Sequence, residues 1–237
     1  TNEIKRRIQL ISSEDTYDII ITELGGTVGD IESYPFIEAV RQFRWDLGEK
    51  NSLVIHLTLL PFLSAAGELK TKPTQHSVKK LMESGVNADI IVCRTEKSIS
   101  KDLRSKIALF CNVEINSVIE SIDAKTIYEV PLLMQDEKLD EVVLKKLNIP
   151  NSKSDLVDWK EFVSKLKNPK QNIKIGLIGK YVELQDSYKS ILESFVHAGA
   201  INETKIDVIP IHSENINIQT VENEMSPLDG ILVAPGF

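Results

Sequence analysis

What most constrains this chain is its alternation of short apolar runs with segments whose apolar residues recur near the helical period. Residues 17–23 form an apolar run that ends in an acid and meets Gly25-Gly26 at once, as a buried parallel strand followed by a loop would. From 33 to 49, apolar positions 36, 37, 40, 43 and 47 predict a helix closed near Gly48. Strands are then predicted over 53–60, 89–93 and 117–122, with helices over 74–84 and 100–110 between them. Parallel neighbours need crossover helices, so the pattern predicts an α/β fold with a mainly parallel open sheet covered by helices on both faces.

A short charged helix follows over 139–147, and the stretch 148–172 is rich in Lys, Asn and Ser, with Pro150 and Pro169. This is the best boundary. A fresh cycle then begins, with strands over 173–179, 205–211 and 230–234 and a helix over 186–197. Charge shifts at the same place: residues 1–172 carry 24 basic and 26 acidic side chains, whereas 173–237 carry 4 and 9. The organisation expected is therefore a first α/β domain over 1–147, a linker over 148–172 and the start of a second α/β domain from 173 to 237. The chain opens in what reads as a helix and stops just after a strand, as an internal fragment of a longer protein would.

Composition excludes several classes. A net charge of −7 disfavours general attraction to nucleic acid or to an anionic membrane, so any polyanion must be bound locally. The most apolar stretch, 52–66, contains His56 and Pro61 and falls short of the ~18 to 20 residues of a membrane span. Two cysteines, Cys93 and Cys111, lack metal or redox spacing, which fits a reducing compartment.

Two segments could carry chemistry. In the first, Glu23 stands at a strand end before a loop with Gly25, Gly26 and Gly29, where ligands bind in open α/β sheets. Mg²⁺ on a nucleotide needs only one or two protein carboxylates, so Glu23 alone suffices, although a loop-capping role fits the spacing equally well. Asp30 and Glu32 could likewise serve only the helix that starts after them. In the second, Lys70, Thr71, Lys72 and Thr74 precede a helix N-terminus, where free N–H groups favour an anion. Residues 67–80 carry four Lys and one acid in an otherwise acidic protein, although a solvated charged loop reads the same way. Gly179-Lys180 is no P-loop, because Lys174 and Tyr181 stand where Gly and Ser or Thr are required.

Four motifs in order, Glu23-Leu-Gly-Gly-Thr-Val-Gly-Asp-Ile-Glu32, Gly67-Glu-Leu-Lys-Thr-Lys-Pro-Thr-Gln-His-Ser77, Lys106-Ile-Ala-Leu-Phe-Cys111 and Gly179-Lys-Tyr-Val-Glu-Leu184, closely resemble the CTP synthase family. The resemblance implies the latter part of a P-loop NTPase-like amidoligase (synthetase) domain, a linker, and the opening of a class I glutamine amidotransferase domain. It implies a ligase that phosphorylates the uracil O4 of UTP with ATP and replaces the phosphate with ammonia from glutamine. By resemblance, Glu23 holds Mg²⁺. Asp30, Ile31 and Glu32 belong to the pyrimidine-nucleotide site used by the feedback inhibitor CTP. Lys70, Thr71, Lys72, Pro73, Thr74, Gln75 and Lys106 bind UTP or CTP across to a neighbouring subunit. Arg94 and Ile122-Asp123-Ala124 fall where the family contacts ATP, with Ile122 and Ala124 contributing through backbone. Gly236 falls at the oxyanion-hole glycine, in a turn that reads Ala-Pro-Gly-Phe where Pro-Gly-Gly-Phe is familiar. A cytoplasmic homotetramer activated by GTP is also implied, with the ATP-binding P-loop before Thr1, the glutaminase nucleophile beyond Phe237, and no activity from this chain alone. A non-catalytic pyrimidine-nucleotide-binding module and a P-loop ATPase of the dethiobiotin-synthetase type remain the alternatives.

Overall fold

In the computed structural model, the described residues are 1–12, 17–150, 153–184 and 186–236. They form two units, Thr1–Ser154 and Asp155–Phe237.

The first unit begins with α1 (Asn2–Ser12), which Lys5 ties to Asp46 at 2.7 Å on α2 (Tyr34–Leu47). Pro35 opens α2 and Gly48 closes it in a positive-φ conformation, its N–H donating to the Arg44 carbonyl. Then come β1 (Ile55–Leu59), a hairpin of β2 (Phe62–Leu63) and β3 (Glu68–Leu69), α3 (Lys72–Glu83) and β4 (Ile90–Thr95). They are followed by α4 (Lys101–Cys111), β5 (Val118–Ile122), α5 (Val130–Asp136) and α6 (Leu139–Lys146). The Ser100 side chain caps α4 by accepting from the Leu103 N–H, and Asn112 ends it in the left-handed region.

β1, β4 and β5 are parallel, with β4 in the middle. Its unbroken apolar run is explained by cover on both faces. Ile91 and Cys93 join Leu60, Val78, Leu81 and Ile107 in the core beneath α3 and α4. Ile90 and Val92 join Ile119 against Met134, Leu139, Val142 and Val143 of α5 and α6.

The expected strand over 17–23 is absent: those residues run without ladder partners, and Ile21 is 91% exposed. A strand exists only where a neighbour takes up its backbone donors and acceptors, and no described strand lies beside this run. The β2–β3 hairpin, for its part, was not foreseen; Gly67, at φ +66, marks its turn.

In the second unit, α7 (Val157–Lys167) lies within the stretch read from sequence as a linker, of which Asn151 and Ser152 fall outside the described residues. β6 (Gln171–Gly179), α8 (Lys189–Ile201), β7 (Thr204–His212), α9 (Val221–Met225) and β8 (Gly230–Val233) follow. β6 pairs in parallel with β7 on one side and β8 on the other. Among the described residues no helix is long and apolar enough to cross a membrane.

Candidate functional site

The basic segment sits at the carboxyl end of β1, held there by the helix that follows it. Thr71 is the residue before α3, so Lys72 to Gln75 form its first turn rather than the loop ahead of it, as the sequence suggested. Pro73 suits that turn because its missing N–H would have had no helical partner. The Thr74 hydroxyl is fully buried and donates to the Leu59 carbonyl at 3.1 Å, pinning the helix start to the strand end. Thr71 is buried as well, and its hydroxyl accepts from the Gln75 side-chain amide at 3.1 Å. Both hydroxyls are thereby engaged by the fold. The backbone N–H groups of Lys72 and Thr74, which have no hydrogen-bond partner among the described residues, are what α3 offers an anion. The Lys72 side chain is exposed beside them.

Next to this turn lies a cleft of about 430 Å³ whose lining includes Phe62, Glu68, Lys97, Ser100 and Lys106. The Lys97 ammonium stands 5.7 Å from the centre of the Phe62 ring, within cation–π range. Glu68 pairs with Lys70, and its carboxyl is held below the usual range by that hydrogen bond and by the Lys70 and Lys106 charges. Lys70 and Lys106, far apart in sequence, therefore share one electrostatic neighbourhood. Glu68, Phe62 and Lys97 were not singled out from the sequence; the only signal was the acid two residues before Lys70 in the same motif.

The glycine-rich segment lies elsewhere on the unit. Asp30 closes a turn: its N–H donates to the Thr27 carbonyl, and its own carbonyl accepts from both the N–H and the hydroxyl of Ser33. Gly29 needs its positive φ of +105, and a Cβ there would lie 2.9 Å from Lys80 Cγ. Lys80 is eight residues into α3 from Lys72, about 12 Å along the helix axis. Glu23, Asp30, Ile31 and Glu32 are all exposed, Ile31 at 84%. Among the described residues no hydrogen bond or ion pair joins 23–32 to 70–75. No cluster of three potential metal-ligating side chains occurs among the described residues. A lone exposed carboxylate such as Glu23 fits a Mg²⁺ that arrives on nucleotide phosphates.

Two of the residues expected from the resemblance to contact ATP do meet: Arg94 at the end of β4 lies 3.2 Å from Asp123 just past β5, and the Asp123 N–H donates to the Thr95 carbonyl. Ile122 and Ala124 flank it, half-buried. Burial pushes the Cys93 and Cys111 thiols up to about 11, so both are protonated core residues at neutral pH.

In the second unit, the β8 ladder continues one residue past the strand, with the Ala234 N–H donating to the Ile178 carbonyl at 2.8 Å. This leaves exposed Gly236 against Lys180, where a Cβ would lie 3.3 Å from the Lys180 Cβ.

A parallel sheet between helix layers, with a helix that starts at Lys72 outside a strand's carboxyl end, makes an α/β domain consistent with a P-loop-like synthetase. Residues 1–149 match the family described as CTP synthase N-terminus, and the chain belongs to the CTP synthase family. It is 66% identical over its whole length to the CTP synthases of Flavobacterium psychrophilum and Flavobacterium johnsoniae, and 53% identical to that of Methanocaldococcus jannaschii. The chain spans 44% of the length of the first two and 45% of the third.

Proposed function

We propose that the full-length protein makes CTP from UTP, with ATP as phosphoryl donor and glutamine as nitrogen source. The observation that carries this reading is the start of α3. Two free backbone N–H groups, the positive end of a twelve-residue helix and the exposed Lys72 converge there; Lys70 lies just before the helix, and Lys106 acts on the same Glu68 that Lys70 pairs with. An overall charge of −7 makes that concentration of positive potential local.

Lys70, Lys72, Gln75 and Lys106 hold the triphosphate of UTP or of the inhibitor CTP through their side chains. Thr71, Pro73 and Thr74 shape the turn that presents the backbone. Asp30, Ile31 and Glu32 of another copy complete the pyrimidine site, a reading supported by the lack of any hydrogen bond between the two segments among the described residues of one chain; a homotetramer supplies that second copy. Arg94, Ile122, Asp123 and Ala124 hold ATP. Glu23 holds the Mg²⁺ carried by ATP, whose charge, when bound, offsets that developing on the transferred phosphoryl group.

Phosphorylation forms a bond from uracil O4 to the γ-phosphorus, breaks the bond to ADP and releases the N3 proton. Ammonia then adds at C4 and loses one proton as the C4–O bond breaks and phosphate departs, leaving the 4-amino group. The second unit begins a class I glutamine amidotransferase domain, in which the Gly236 N–H donates to the amide oxygen as it becomes an oxyanion. GTP activates that half-reaction, and the enzyme works in the cytoplasm.

The test is CTP formation by the full-length protein from UTP and ATP, with glutamine and with ammonia. Turnover with both nitrogen sources supports the reading; ATP hydrolysis without CTP would favour the ATPase alternative. The 237-residue chain by itself is expected to make none.

A further inference from the structure

The second unit contains a buried hydroxyl that its expected motifs do not use. Tyr188 is only 7% exposed. Its hydroxyl oxygen accepts from the Lys180 N–H at 3.2 Å and the Tyr181 N–H at 3.4 Å, and it donates to the Pro235 carbonyl at 3.2 Å. One oxygen therefore joins the loop leaving β6 to the turn leaving β8. Gly179 makes the approach possible, since a Cβ there would lie 2.5 Å from the hydroxyl oxygen and 2.7 Å from the ring carbon that bears it. The bonded carbonyl is half of the peptide unit that carries the Gly236 N–H. In a planar peptide, fixing where C=O points fixes where N–H points.

We infer that Tyr188 is a positioning residue that sets the direction of the Gly236 N–H toward the oxyanion of a hydrolysed carboxamide. The inference rests on reading the second unit as the start of a glutamine amidotransferase. Addition of a thiolate to the amide carbon forms a C–S bond and moves the carbonyl π pair onto oxygen. As the C–N bond breaks, the nitrogen takes a proton and leaves as ammonia, and the carbonyl re-forms. An N–H aimed at that oxygen helps only while the charge exists, so a misaimed donor lowers kcat more than it raises KM. The Ala-Pro-Gly sequence explains why an outside tether is useful. Pro235 has no N–H with which to brace the turn, so the turn is held through its carbonyl.

The test uses the full-length protein with Tyr188→Phe, which keeps the ring and removes only the hydroxyl. The expected result is a tenfold or greater fall in kcat for glutamine hydrolysis, with KM for glutamine changed less than threefold. The inhibition constant for an aldehyde analogue of glutamine, whose thiol adduct bears the same oxyanion, should rise by a similar factor. A variant that merely has fewer folded sites would leave that constant unchanged, and such a result overturns the inference. Unaltered kcat in a wild-type-active protein also overturns it. Absence of glutamine hydrolysis in the wild-type protein would instead overturn the amidotransferase reading. Gly179→Ala, which crowds the hydroxyl without removing it, should move kcat and the aldehyde constant in the same direction; no effect on either contradicts the inference.

Discussion

The start of α3 and the end of β8 solve the problem of presenting backbone N–H groups in opposite ways. At α3 the polar side chains of the turn are drawn inward, Thr74 to the Leu59 carbonyl and Thr71 to Gln75, and the exposed Lys72 stands in the same turn as the free donors. At β8 the turn has little side-chain chemistry of its own and is held from outside by a buried tyrosine hydroxyl. The first arrangement pins the helix start from behind and leaves its free donors and Lys72 open to solvent. The second is preset within its own unit. The lesson is that a motif threonine can serve the helix start, bonding to the fold behind it rather than facing outward.

That contrast can be broken most sharply at Lys72. In the full-length protein, Lys72→Ala should lower kcat/KM for UTP about thirtyfold, the loss of one charged hydrogen bond of about 2 kcal/mol, and leave glutamine hydrolysis within twofold. An equal loss in both activities would remove the phosphate role. At the other turn, Gly179→Ala should cost about 1.5 kcal/mol in chemical denaturation, because the new methyl meets a fixed aromatic ring rather than a flexible chain end. Thr74→Val keeps the shape and loses the hydroxyl. It should cost about 1 kcal/mol of stability and reduce UTP use only as far as the helix start shifts, the reverse of Lys72→Ala.

The smallest effect concerns acid. His56 on β1 lies buried against the middle of α3, 2.9 Å from the Ser77 hydroxyl, and burial lowers its pKa from 6.5. The unfolded chain therefore binds this proton first. The contribution of His56 is full above about pH 6.5 and declines as pH falls below it, by no more than about 1.4 kcal/mol per pH unit until the folded histidine titrates. Denaturation midpoints measured between pH 7 and 5 should show this decline, and His56→Gln should flatten it.

Much of the architecture was legible because it follows from periodicity. The run Ile90 to Cys93 could only be a strand buried on both faces, and residues 74–84 could only be a helix with one apolar stripe. The run over 17–23 is also rich in isoleucine but has no described strand beside it, which a linear pattern cannot reveal. Among candidate site residues, charge was legible and division of labour was not. Lys70, Lys72 and Lys106 stood out as cations, yet nothing in the sequence says that Glu68 pairs with Lys70, that Thr71 and Thr74 face inward, or that Arg94 meets Asp123. Tyr188 was invisible because its role depends on Gly179 and Pro235, nine residues before it and 47 after it.

The claim that organises the whole account is that the pyrimidine-nucleotide site is assembled from Lys72 of one copy and Glu32 of another. Mixing full-length Lys72→Ala with full-length Glu32→Ala, each strongly impaired alone at UTP below KM, under conditions of subunit exchange tests it directly. With random pairing across a two-fold interface, half of the pairs are hybrids and each hybrid regains one intact site, so about a quarter of wild-type CTP formation should return. No recovery after verified exchange would mean that both residues act within a single chain, and would contradict the account.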